Sequence, residues 1–170
     1  MNGPEFINTT LRDLHSGLRA ELTPLTQEQI LTVPAPGANT IGFLVWHYVR
    51  GEDSLLYGSA AGRDSIWVAN NWAEKLGSEH AGSGTGFTEE QMLSIRPSKD
   101  DLLAYCEQVW EGVPGILEKL TDADLDRAPN PERPTMTLGR SIANFVVGHG
   151  FWHLGDVRYT KGLMGMPFSR

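Results

Sequence analysis

The sequence predicts an all-α protein, a four-helix bundle whose helices are joined by long crossover connections. Four stretches carry apolar residues at the three-and-four spacing of an amphipathic helix. Strand-period alternation is nowhere sustained, and no internal repeat is visible. The segments between the four stretches hold proline and glycine and are too long for simple hairpin turns, so they read as crossings over the bundle. At 170 residues the chain suits one domain, spanning 1–170, with a single sizeable core.

The first helix lies between about Glu5 and Leu22, with Phe6, Ile7, Leu11, Leu14, Leu18 and Leu22 on one face. His15 falls at the edge of that face, where a histidine is ordinarily solvated. Pro24, Pro34, Pro36 and Gly37 interrupt the pattern, while Thr26-x-Glu28-Gln29 opens one short turn. The second helix is capped by Asn39 or Thr40 and runs through Leu56, ending in Gly58 to Gly62. A short aromatic segment, Ile66 to Leu76, is too brief for a bundle helix and is expected to pack across one end. The stretch Gly77 to Gly86 follows no strand, which weakens a phosphate-binding reading. It reads as a mobile surface loop with His80 exposed. Ser98 caps the third helix, which extends to about Leu120 with a kink expected near Trp110 to Gly112 because Pro114 lacks a backbone donor. After a proline-bearing connection, Thr137 caps the fourth helix, which continues to about Gly162.

Charge and cysteine content narrow the function classes. A formal charge of -7 and a pI near 5.2, with no run of Lys and Arg, argue against nucleic acid or anionic lipid as partner. No stretch is long and apolar enough to span a membrane, and the start of the chain lacks a charged-then-apolar signal pattern. Cys106 is the only cysteine, so a disulfide within the chain and a cysteine zinc cluster are both excluded. Its neighbours Leu102, Leu103, Val109 and Trp110 mark it as a buried helix residue. Together these features predict a cytoplasmic protein.

The chemistry-bearing residues are histidines. His149 and His153 stand four apart on the fourth helix, about 40° different in direction and one turn apart, which is chelating geometry. Leu138, Ile142, Phe145 and Val146 continue the same stripe, so this face should point inward. His47 lies on the inward stripe of the second helix with Phe43, Leu44, Gly51 and Leu55, and the missing side chain of Gly51 leaves room beside its ring. Alone, His47 reads first as a hydrogen-bonded core histidine, and it gains meaning from the other two. Three neutral imidazoles are, however, a complete protein contribution to an open divalent site. Gly150, Phe151 and Trp152 separate the pair, so the helix-borne glutamate of HExxH zinc proteases is missing. Asp156 is placed either to accept a hydrogen bond from a ligating imidazole or to pair with Arg158 or Lys161. Glu52 and Asp53 read as structural residues beside Arg50.

The phrase from Phe43 to Asp53, FLVWHYVRGED, followed about a hundred residues later by His149 to Gly162, HGFWHLGDVRYTKG, resembles the DinB/YfiT-like superfamily. The specific part of the resemblance is the single histidine on the second helix with the HxxxH pair on the fourth. It implies an up-down-down-up topology, a frequent homodimer, and a divalent metal such as zinc or nickel held by His47, His149 and His153. It also implies thiol-dependent enzymes among the relatives, with metal coordination favouring the thiolate.

Three functions follow as expectations. The first is a divalent-metal-dependent enzyme, a transferase using a low-molecular-weight thiol or a hydrolase, acting on a small electrophilic substrate in a pocket lined by side chains such as Trp67, Trp72 or Trp152. The second is a non-catalytic metal- or ligand-binding stress-response bundle. The third is a structural helical dimer whose histidines are satisfied by hydrogen bonds.

Overall fold

The computed structural model describes residues 1–76 and 82–167, and is helical with no strand among the described residues. The expectation for His80 lies outside them. The long helices are α1 (Gly3–Leu22), α3 (Ile41–Asp53), α7 (Lys99–Leu117) and α10 (His149–Leu163). Short helices fill the connections: α2 (Gln27–Leu31), α4 (Ile66–Ala69), α5 (Trp72–Lys75), α6 (Glu89–Ser94), α8 (Asp122–Asp126) and α9 (Leu138–Ile142). Two stretches are π-helical: Ser54–Ala60 continues α3, and Ala143–Gly148 joins α9 to α10.

Capping sets where these helices begin. The Asn2 side chain accepts from the Glu5 amide while the Glu5 carboxylate accepts from the Asn2 amide, a reciprocal box that starts α1 slightly earlier than the apolar pattern suggests. Thr40, Ser98 and Thr137 each accept a hydrogen bond from the amide three residues on, so the expected caps of the other long helices are in place. α7 stays helical through Pro114, and the Tyr57 hydroxyl donates to the Val109 carbonyl at 2.8 Å.

α1 packs on α7 and α10, and α3 packs on the same two helices. Helices adjacent in sequence, α1 with α3 and α7 with α10, therefore lie across the bundle from one another, which explains the long connections. Leu11, Leu14 and Leu18 of α1, Val45, Trp46, Tyr48 and Val49 of α3, and Leu102, Tyr105, Cys106 and Val109 of α7 fill the core. Cys106 is buried as expected, and burial pushes its thiol up.

Two side chains depart from expectation. Phe145 is 52% exposed although Leu138, Ile142 and Val146 on its stripe are buried. It sits in a π-helical stretch, whose wider turn advances each residue by less than the usual ~100° and so swings Phe145 off the inward face. His15 is buried, not solvated: its Nε2 lies 2.8 Å from Glu52 Oε1, and its ring stacks on Trp110 at 4.8 Å.

Candidate metal centre

α3 presents His47 from one side. Trp46 and Tyr48, its neighbours in sequence, are fully buried, and their packing fixes the rotation of the helix so that His47 emerges on the face toward α10. The ring stacks on Phe43 one turn earlier, with centroids 5.8 Å apart. Its Nδ1 lies 2.6 Å from the Ser83 carbonyl oxygen. That carbonyl comes from the glycine-rich stretch expected to be a mobile surface loop. Gly82, Thr85 and Gly86 are exposed, but Gly84 packs down: it is buried with φ +92, and a Cβ there would lie 2.8 Å from the Trp46 ring and 3.0 Å from Phe43. Only glycine allows this approach, and it delivers the Ser83 oxygen to His47.

α10 presents His149 and His153 from the other side. Between them Gly150 faces the partner helices, where a Cβ would fall against Leu14 and 2.8 Å from the Tyr48 ring. The absence of a side chain lets α10 approach α3 closely enough for their histidines to meet. His149 Nε2 is 3.3 Å from His47 Nε2 and 2.9 Å from His153 Nε2, and the three nitrogens all lie within 4.8 Å of one another. The three residues expected as ligands are therefore brought together.

The far side of each ring faces oxygen as well. His153 Nδ1 lies 3.1 Å from Asp156 Oδ2, and the Phe145 backbone carbonyl faces the His149 ring. The alternative reading of Asp156 fails because its candidate partners are engaged elsewhere: Arg158 Nε is 3.0 Å and Lys161 Nζ 2.6 Å from the buried Glu21 carboxylate. With Nδ1 of His47 and His153 facing oxygen acceptors, those nitrogens carry the protons, and the opposed Nε2 atoms carry lone pairs. Lone pairs converging at 2.9–3.3 Å repel unless a cation or proton lies among them. Bonds of ~2.0–2.1 Å in a tetrahedron imply a nitrogen–nitrogen separation of roughly 3.3 Å, which the His47–His149 pair matches and the His149–His153 pair approaches within a few tenths of an ångström. Burial, with the neighbouring histidines second, pushes the His153 imidazole down to about 3, and burial followed by His47 lowers His149. Both rings stay neutral at physiological pH, the form that binds metal.

Other expectations are corrected. Trp67 and Trp72 do not face the histidines; both are buried around Tyr105, at 5.4 and 5.5 Å between ring centroids. Trp152 lies on the outer face of α10 at 72% exposure. Glu52 and Asp53 are structural, as expected, and the Arg50 charge acts on Asp53. Glu52 receives His15 and Trp110, and Asp53 accepts from the Ile66 and Trp67 amides and the Tyr105 hydroxyl, pinning α4 to the bundle. The Arg50 guanidinium lies 4.1 Å over the Trp67 ring.

Fold and site together define an all-helical bundle with three histidines from two helices converged on one point. The chain belongs to the DinB superfamily, whose family model matches residues 10–157. It is similar to a conserved protein of Enterococcus faecalis of known crystal structure, with a TM-score of 0.83 and 20% identity over 97% of this chain and 99% of that one. That likeness establishes a shared fold. No curated protein sequence matches this chain significantly.

Proposed function

We propose that His47, His149 and His153 hold one divalent cation, zinc or nickel, with Asp156 orienting His153, and that the protein is a metal-dependent enzyme acting on a small electrophile. The observation that carries this reading is the convergence of three Nε2 atoms whose rings are each held from behind by an oxygen acceptor. Neutral imidazoles suit both metals. Three protein ligands leave a four-coordinate ion one position short, the pattern of catalytic and not structural sites. A Cβ built on Gly51, one turn past His47, would meet no atom within 4 Å, so α3 carries no side chain that crowds that position. Bound by the three histidines, the cation would supply the positive charge that favours the ionised form of a water or thiol at the open position. The chain's own residues supply grip and orientation: Phe43 supports the His47 ring, and Ser83, Asp156 and Phe145 fix the three imidazoles.

Thiol-dependent transfer and hydrolysis are the two reactions this arrangement suits. The same reading includes a homodimer formed through the outer face of α10, where Phe151, Trp152, Tyr159 and Leu163 are exposed. Metal quantitation on tag-free protein tests the centre. About one zinc or nickel per chain is expected, lost in His149→Ala, and a protein that takes up neither metal refutes it. Screening small thiols and water against electrophilic substrates with the loaded protein then separates transferase from hydrolase. Loaded protein inactive throughout supports the non-catalytic binding module instead. Light scattering reads the oligomer, with Trp152→Glu expected to give monomers.

A further inference from the structure

A second cluster of ionisable groups lies away from the three histidines, between α1 and α7. Glu52 is fully buried, and its carboxylate takes His15 Nε2 at 2.8 Å on one oxygen and Trp110 Nε1 at 3.2 Å on the other. No Lys or Arg side chain forms an ion pair with it among the described residues, so its stabilisation comes from these two donors, with Nε2 of His15 carrying a proton. The other ring nitrogen, Nδ1, is left without a partner. The His15 side chain is 8% exposed, and Nδ1 is not among the sealed, unpaired atoms of the core. His15 helps to line a cavity of about 370 Å³.

The walls of this cavity differ in chemistry. Asn8, Arg12 and His15 project from α1 at helical spacing, the Trp110 ring is covered from that side by His15 and Arg19, and Val113 and Pro114 of α7 complete the apolar part of the lining. Arg12 forms no ion pair or hydrogen bond among the described residues, whereas Arg19, further along the same stripe, is closed off by two hydrogen bonds to Glu107 at 2.7 and 2.6 Å. Glu111 and Glu118 stand at the rim without pairing with Arg12. A buried carboxylate that orients an imidazole, that imidazole stacked on an indole, a free guanidinium one turn away and an apolar patch at Pro114 form a complementary set of binding groups.

We propose that this cavity is a binding site for a small planar carboxylic acid, held through its carboxylate by Arg12 and His15 Nδ1 and through its apolar body by Val113 and Pro114, beside the edge of the stacked His15–Trp110 pair. The volume is within the range of small-molecule sites. The site does not depend on any metal. The indole N–H of Trp110, which donates to Glu52 behind His15, reports on occupancy from within the cluster.

The test is a titration of the full-length protein, labelled with nitrogen-15, following the Trp110 indole signal by NMR with benzoate, benzamide and acetate as probes. Benzoate is expected to shift that signal saturably, with benzamide and acetate each weaker by about tenfold or more because one lacks the charge and the other the ring. Arg12→Ala is expected to weaken benzoate by a similar factor. Arg12 is exposed and outside the core, so the variant keeps its fold. His15→Gln serves as a second variant. His149→Ala should leave benzoate binding unchanged. No saturable shift up to ~10 mM benzoate, equal binding of benzamide, or loss of binding in His149→Ala would each overturn the proposal. The last result would mean that the carboxylate had gone to the three-histidine centre.

Discussion

Replacing Gly150 by alanine tests whether the close approach of α10 to α3 assembles the histidines. A new Cβ would overlap the Leu14 Cδ2 methyl and lie 2.8 Å from the Tyr48 Cε2 and Cζ atoms, where carbon atoms need about 3.5–4.0 Å. Leu14 and Tyr48 are both fully buried, so neither side chain has free space to retreat into. Overpacking of this kind costs about 1–3 kcal/mol, and the upper half of that range applies against two sealed neighbours. The gain in helix propensity returns about 1 kcal/mol, leaving a net loss of roughly 1–2 kcal/mol. Gly155→Ala is the control on the same helix, because a Cβ there meets nothing within 4 Å and only the favourable term remains. The two variants should therefore differ by about 2–3 kcal/mol in urea unfolding, or roughly 4–12 °C in melting temperature. Relief of the clash moves α10 from α3, so Gly150→Ala should also weaken zinc by about 10–100-fold while Gly155→Ala binds normally. Equal stability of the two variants would refute the packing argument.

Asp156→Asn should lower metal affinity by about 10–100-fold in a competitive chelator titration with little change in melting temperature, since Asp156 is exposed and touches the site through His153. The metal-free protein should lose stability as pH falls. The unfolded His153 takes a proton near 6.5, while the folded ring resists it to about 3, so stability declines from about pH 6.5 downward by at most ~1.4 kcal/mol per pH unit for this group. Guanidinium melts at pH 7.5 and 5.0 should show a smaller difference in His153→Gln than in the parent. Glu52→Gln should cost about 1–3 kcal/mol in urea unfolding by weakening the links to His15 and Trp110, and an unaffected midpoint would show that these bonds contribute nothing net.

What was legible in the sequence is what helical periodicity encodes. His149 and His153 meet because they are four apart, and His47 joins them because Phe43, Leu44 and the buried Trp46 and Tyr48 fix the rotation of α3. The Thr40, Ser98 and Thr137 caps are equally local. Contacts between distant segments are what the pattern does not contain. His15 looked like an edge residue because its partner, Glu52, is on another helix 37 positions away. The Ser83 carbonyl was missed because a backbone oxygen carries no sequence signature, although Gly84, needing both positive φ and a close approach, was an available sign that the segment packs down. Gly150 was such a sign too: a glycine between two inward histidines marks where a neighbouring helix comes close.

The error at Phe145 and the support of His149 have one cause. In an ordinary α-turn the Phe145 carbonyl would accept the His149 backbone amide. Here that amide donates to Asn144, five residues back, as well as to Val146, so the Phe145 carbonyl is released from the backbone ladder and faces the His149 ring. The widened turn thus turns the phenyl ring outward and supplies the imidazole with its oxygen partner. A π-turn is in effect a one-residue insertion in a helix, so deleting exposed Asn144 should restore α-periodicity while keeping Ile142 and Val146 on the buried face. The deletion variant is expected to fold, with helical content by circular dichroism close to that of the parent. Its zinc affinity should drop about 10–100-fold, because the Phe145 carbonyl returns to the backbone ladder and the His149 ring loses its hold. A folded deletion variant that binds zinc as tightly as the parent would show that the π-turn only accommodates the sequence and does nothing for the site.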